Sequence, residues 1–321
     1  MIVQRYTAAD LERWNDFVAK AKNGTFLFDR RYMDYHSEKF NDYSLLILDG
    51  EKLVAVFVAN ENSNIIESHG GLTYGGLVVE KEATLEEVLG YFFHILKFYS
   101  GSYKSIVYKS VPAPFAKTTS QEDLYAMFLL KAQLISRLSN SVYDRDAAIP
   151  YRKSKRENVA RPQKHQKEYS IVKTNDPSEF WKKVLIPNLN EKFGSSPVHS
   201  LEEMQLLMQR FPSNIQLFEI RGNDILGGAL VYVMDDIVHT QYVSATADGR
   251  KADILDVLID YLITTVFADK SKVSLGTSNE DRGQKLNRGL MSWKEGFGAR
   301  TLVHDIYLVE TASYTELAEY A

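Results

Sequence analysis

The chain repeats itself, and the repeat limits what it can fold into. Residues 45–54 are two apolar runs around the turn Asp49-Gly50-Glu51-Lys52. They lie over residues 217–226, two apolar runs around Arg221-Gly222-Asn223-Asp224, at a constant offset of 172. Strand, turn, strand is a hairpin signal in both places. The order then continues twice over. A third strand comes next (residues 65–68, then 238–243), then a helix (85–99, then 254–268), then a short apolar strand (103–108, then 273–275). A unit written twice must bury two cores, and 321 residues suffice for two domains of ordinary size. The spacing predicts an N-terminal domain over 1–150, a connecting segment over 151–168 and a C-terminal domain over 169–321.

Helix starts are marked by reciprocal caps, in which a hydroxyl and a carboxylate three residues apart satisfy each other's backbone. Thr7 with Asp10, Thr84 with Glu87 and Ser200 with Glu203 have this form. Residues 124–139 read as an amphipathic helix between the halves. After it, residues 152–168 hold seven Lys or Arg against Glu157 and Glu168. Such a run reads as a solvated helix or as a basic wall beside a phosphate-bearing substrate, with Arg156 a candidate contact.

Several chemistries are excluded. The absence of cysteine removes disulfides, thiolate catalysis and cysteine zinc sites together. The seven histidines are nowhere spaced as helix-borne metal ligands, so no metal is expected. Phosphate-loop, dinucleotide-loop and nucleophile-elbow signatures are missing, and Ser170 with Lys173 lies in a strand pattern unsuited to a serine–lysine nucleophile. A net charge of −4 argues against a general nucleic-acid surface. The first residues lack the basic and apolar regions of a secretory signal. The most apolar helical window, 254–267, is interrupted by Asp256 and Asp260. A cytoplasmic location with no membrane span is expected.

The two repeated helices differ where they begin. The first is approached through Glu80, Glu82, Glu86 and Glu87, which occupy the ground an anion would need. The second is approached through Gly249, Arg250 and Lys251. Cations at a helix start are unfavourable unless an anion joins them or their side chains reach solvent with Asp248 or Asp253 as cap; if one copy binds a phosphorylated donor it is therefore the second, around Ser244, Ala245, Gly249, Arg250 and Lys251.

In these residues the chain resembles the GNAT superfamily, and in its tandem form the FemAB-like transferases. The features that carry the resemblance are the repeat and the glycine-rich segment from His69 to Gly76. With them go the basic connection and a tail in which Leu275-Gly276-Thr277-Ser278 precedes a helix and Lys294-Glu295-Gly296-Phe297-Gly298. The resemblance implies an α+β fold of two tandem GNAT-like domains, each a mixed, mostly antiparallel sheet flanked by helices. It implies an N-acyltransferase that moves an acetyl group from acetyl-CoA, another acyl group from an acyl-CoA, or an aminoacyl group, to an amine. The acceptor would be a small molecule, a nucleotide-linked amino sugar or a cell-wall or polysaccharide precursor. Ligation dependent on a charged tRNA, and a ligand-binding protein with decayed acyl sites, are the alternatives. Catalytic roles then fall to His69 as general base, Tyr74 as proton donor and Lys294 as holder of a charged acceptor or oxyanion. Acceptor contacts would come from Gly71, Thr73, Asn279 and Asp281.

Overall fold

The computed structural model describes residues 1–164 and 169–321. The chain forms two compact units. The first comprises Met1–Leu138, Asp281–Lys285 and Val303–Ala321, and the second comprises Ser139–Glu280 and Leu286–Leu302. The boundary expected at residue 150 is therefore corrected, and the end of the chain belongs with its beginning. The reason is strand pairing. Ile306 to Glu310 pair antiparallel with Lys109 back to Ser105. The helical tail Thr311–Tyr320 then packs on the helix Leu85–Ser100, with Tyr314 edge-on to Phe93 at 5.6 Å. Residues 124–139 are also corrected. The helix is only Glu122–Leu129, and after a left-handed Lys131 (φ 53°) the chain becomes the strand Gln133–Asp144.

In the first unit the strands Ile2–Arg5, Leu45–Asp49, Lys52–Val58 and Gly76–Val79 form one antiparallel sheet in that order. The helix Leu85–Ser100 starts at the Thr84–Glu87 capping box. It buries Phe92, Leu96 and Tyr99 against Leu45, Ile47, Phe57 and Tyr108. In the second unit the order is Ser170–Thr174, Ile215–Arg221, Ile225–Val233, Ile237–Ala245, Lys272–Thr277, and then residues 139–144 of the strand Gln133–Asp144. The helix Ile254–Tyr261 covers one face, with Ile254, Leu258 and Ile259 against Ala229, Val231, Val238 and Val273. On the other face lies the helical segment Phe180–Leu185, where a side chain on Gly228 would strike the Phe180 ring at 2.7 Å.

The registers define the duplication closely. Asn60 pairs with Glu67 in the first unit and Tyr232 with His239 in the second, so both partners shift by 172. Farther along the same hairpin, Ala55 pairs with Val79 and Gly227 with Ala245. There the shifts are 172 and 166, so the first unit holds six extra residues between residues 67 and 79. They fall at one spot. The second unit has a β-bulge at Gln241, because Leu230 faces Tyr242 while Val231 faces Thr240. The first unit has a loop there, residues 68–75.

Candidate functional site

In both units the strand before the helix runs parallel to the strand after it for three residue pairs. These are Ile65–Ser105 to Glu67–Val107 in the first unit, and Ile237–Lys272 to His239–Ser274 in the second. Beyond those pairs the two units diverge. In the second the strand passes through the Gln241 bulge and runs on to Ala245, while its neighbour turns away at Gly276 (φ 73°). Among the described residues, no ladder pair joins the two strands beyond His239 and Ser274, whose ring nitrogen and hydroxyl lie 3.0 Å apart. A strand edge released in this way offers its N–H and C=O groups to an extended ligand.

Lys294 stands at the open end. The helix Arg288–Glu295 is started by Asn287, whose side chain accepts from Leu290 N and whose own N–H donates to Ser278 O (2.8 Å). This sets Lys294 under the departing strand, where its Nζ donates to Gly276 O (2.9 Å) and Thr277 O (2.6 Å). The side chain is 4% exposed, and burial alone pushes its amine down to about 7. A neutral lysine amine has two N–H groups and one lone pair. The two carbonyls use the N–H groups and leave the lone pair to receive a proton.

Of the expected donor contacts, Ser244 is buried with its Oγ unpartnered among the described residues. Ala245 belongs to the apolar cluster beneath the helix Ile254–Tyr261, so Ser244 faces the opposite side by strand alternation. The charge argument for Arg250 and Lys251 is corrected. A short helix, Ala247–Lys251, begins directly at Thr246, so both cations lie in its last turn, where the dipole favours them. Arg250 reaches Asn188 Oδ1 (2.7 Å), Ala245 O (3.0 Å) and Glu191 (3.1 Å), and Lys251 is exposed beside Asp248. Gly249 is there for packing, because a Cβ would come within 2.2 Å of Leu226 O.

The basic segment is a docked helix. Lys155 is buried, bonded to Asp256 at 2.7 Å, with its Nζ 5.0 Å from the Trp293 ring centre and 4.8 Å from that of Phe297. Arg161 pairs with Asp253, and Arg152 with Glu295. Arg156 is exposed and donates to Tyr151 O. Much of the charge that suggested a basic wall is therefore matched within the second unit. Lys167 and His165 lie outside the described residues.

The first unit closes over its own split. Ser68 N bonds Val107 O, Lys109 N bonds Ser68 Oγ, Gly75 N bonds Lys109 O, and Lys109 Nζ bonds Leu72 O. The loop pinches shut because a side chain on Gly75 would overlap Ser68 O at 1.8 Å. Its glycines serve the chain's own packing; the space beside Gly71 holds His36. Tyr74 is a core anchor, edge-on to Phe28 and packed on Phe115, with its hydroxyl donating to Thr25. Burial pushes its pKa above the usual tyrosine range, which opposes a proton-donor role. His69 is buried at φ 60° beside His36 (5.0 Å between ring centres), and burial drives its basicity well below the usual histidine range. Thr73 is exposed.

Asn279 is a brace. Its Oδ1 accepts from Ser139 N, Ser139 Oγ and Thr277 Oγ1. Asp281 is exposed in a left-handed turn (φ 50°) of the first unit. Two groups escaped the sequence reading. Tyr242, just after the bulge, meets His199 Nδ1 at 2.8 Å and packs edge-on to Trp181. Lys109 ends the strand that answers Lys272–Thr277, and only the matched strand ends could have singled it out. Among the described residues, no group of His, Asp and Glu is placed to hold a metal ion, and no helix is long and apolar enough to cross a membrane.

No family model matches the chain, and no curated protein does. Solved structures do. FemX aligns with a TM-score of 0.67 at 9% identity, over 95% of this chain and 97% of its own. L-PGS from Bacillus licheniformis aligns at 0.57 and 10% identity, over 100% and 97%. A tandem GNAT protein from the clavulanic acid biosynthesis pathway aligns at 0.53 and 10%, over 97% and 98%. At such identities the likeness is one of fold. Two α+β units repeated at one register, each with a strand pair that parts after three residues, give this chain the FemAB-like, tandem GNAT fold.

Proposed function

We propose that the chain is an acyltransferase whose second unit moves an activated acyl group to an amine, with Lys294 as proton acceptor. The observation that carries this reading is a buried lysine, basic only to about 7, fixed on two carbonyls where the strands part. A group that titrates near neutrality is suited to general base catalysis. The donor's extended arm would add to the released edge after Gln241 and bring its carbonyl toward Lys294. The acceptor nitrogen forms its bond to the acyl carbon and the bond to the leaving thiolate or alkoxide breaks. The nitrogen's proton passes to the lone pair of Lys294.

Coenzyme A, as donor, would supply the thioester. The residues fit an extended amide chain along the strand edge. They give less support to a pyrophosphate at Gly249–Lys251, since Arg250 is already engaged. The acceptor classes raised by the resemblance, an amino sugar or a cell-wall precursor amine, suit this chemistry equally. Calorimetric titration with acetyl-CoA, followed by transfer of labelled acetyl to a panel of amines, tests the reading. Saturable binding with transfer supports it. Activity seen only with a charged tRNA moves the donor to the aminoacyl class, and neither binding nor transfer with any acyl donor overturns it.

A further inference from the structure

The first unit buries a set of basic groups that acyl transfer does not use. Lys109 lies at the centre of the set. On one side, His69 follows the parallel strand Ile65–Glu67, two residues beyond the Glu67–Val107 pair. On the other, the antiparallel partner Ile306 faces Lys109, so His304 lies two residues along and on the same face by alternation. That face is turned away from the helix Leu85–Ser100, whose packing uses the alternate residues Ile106 and Tyr108.

The polar groups of this set are incompletely matched. Lys109 Nζ donates to Leu72 O, which uses one of its three donors. His69 Nδ1 and His304 Nε2 are both buried and have no hydrogen-bond partner among the described residues, although the residues are only 3% and 4% exposed. Buried ring nitrogens are rarely left this way. The other charged or titratable groups acting on the cluster are His36, Arg30, Glu67 and Asp305. Arg30 is already paired with Asp34 and Asp42, and Glu67 accepts from Asn62. Asp305 is engaged by Arg137 in a bidentate pair. Two carboxylates, Glu67 and Asp305, thus stand beside the three bases, and each already accepts from another side chain.

We infer that Lys109, His69 and His304 form a binding site for an oxyanion, the phosphate or carboxylate group of a small ligand, in the first unit. An anion there would accept from Lys109 Nζ and from both orphaned ring nitrogens once they carry protons. Burial holds all three groups below their ordinary basicity, Lys109 at about 8 and His304 at about 4, and the charge of Lys109 lowers both histidines further. Anion binding is therefore coupled to proton uptake, and affinity rises as pH falls. The inference does not rest on the transferase reading, and its test reads binding alone.

The experiment uses the full chain with 15N-labelled histidine. Imidazole resonances of His69 and His304 are followed while inorganic phosphate, or separately acetate, is added at constant ionic strength. The expected result is a saturable response of both rings, with a dissociation constant of about 1 mM or tighter. Their basicity should rise on saturation. Lys109→Met should weaken the response at least about tenfold, and Lys109→Arg should preserve it. Tighter phosphate binding assigns a phosphate-bearing ligand, and equal or tighter acetate binding a carboxylate. A response that merely tracks ionic strength, or is unchanged in folded Lys109→Met, overturns the inference.

Discussion

In the first unit the strand before the main helix is interrupted by a loop that closes over the split; in the second it runs from Ile237 to Ala245 past a single bulge. The difference is six residues. Both units begin the split identically, with three parallel pairs, so the hairpin and the crossover helix dictate the opening in each. What occupies the opening depends on local sequence. Tyr74, Leu72 and the glycines that allow a tight pinch make the first split part of a core. Gly276 and Lys294 leave the second with a released strand edge and a buried amine. One shared geometry is thus closed by a loop in one unit and left with a released strand edge and a buried amine in the other.

The largest expected effect tests the second unit. Lys294→Met should lower kcat by at least about 10²-fold in a labelled-acyl transfer assay. Lys294→Arg should be as damaging, because a guanidinium cannot take the proton. Retained activity in the arginine variant would make the residue a fixed charge and erase its role as base. On the first unit, Tyr74→Ala should cost about 3–5 kcal/mol in denaturant unfolding. A loss well under 1 kcal/mol would mean that the loop is not part of the core.

The docked basic helix distinguishes the second unit in another way. Lys155→Met strands Asp256, which also accepts from Asn158 and Trp293 Nε1, and should cost about 3–5 kcal/mol. A thermal shift near zero would restore the reading of a loosely solvated connector.

Stability against pH sharpens the role of Lys294. Its amine titrates near 10.5 when unfolded and near 7 when folded. Between those values the unfolded chain binds more protons, so stability rises with pH across the window, and the penalty is greatest below about 7. Lys294→Met should flatten that rise, leaving the shares from Lys109, lowered to about 8, and from Lys155, which burial also lowers. An unchanged slope would place the amine in a more solvated setting. The smallest effect belongs to Ser244→Ala, which removes an unpartnered buried hydroxyl. It should leave stability within about 0.5 kcal/mol. A raised KM for the donor would bring Ser244 to the site.

Much of the fold was legible because periodicity and capping are local. Asp49-Gly50 and Gly222-Asn223 mark hairpins, Thr84–Glu87 and Ser200–Glu203 cap helices, and the offset of 172 survives in the strand registers. The site was less legible. The sequence pattern places Arg250 and Lys251 at the start of the helix expected over 254–268. In the structure a separate short helix, Ala247–Lys251, capped by Thr246, precedes the helix Ile254–Tyr261 and places both cations in its own last turn. His69 and Tyr74 carry reactive groups, and nothing local to the sequence says that both are buried. Lys294 could be chosen from its motif, but its lowered basicity comes from burial against Gly276 and Thr277.

The sequence by itself determined the two copies, the order of elements along each and the hairpin turns, since alternation, turn chemistry and capping act over a few residues. Tertiary structure decided the rest. It gave Val303–Ala321 to the first unit, filled one split and left the other with a released strand edge, and set the charge states of His69, Lys109, Lys294 and His304. Those outcomes depend on desolvation and on partners far away in the chain, which no local pattern encodes.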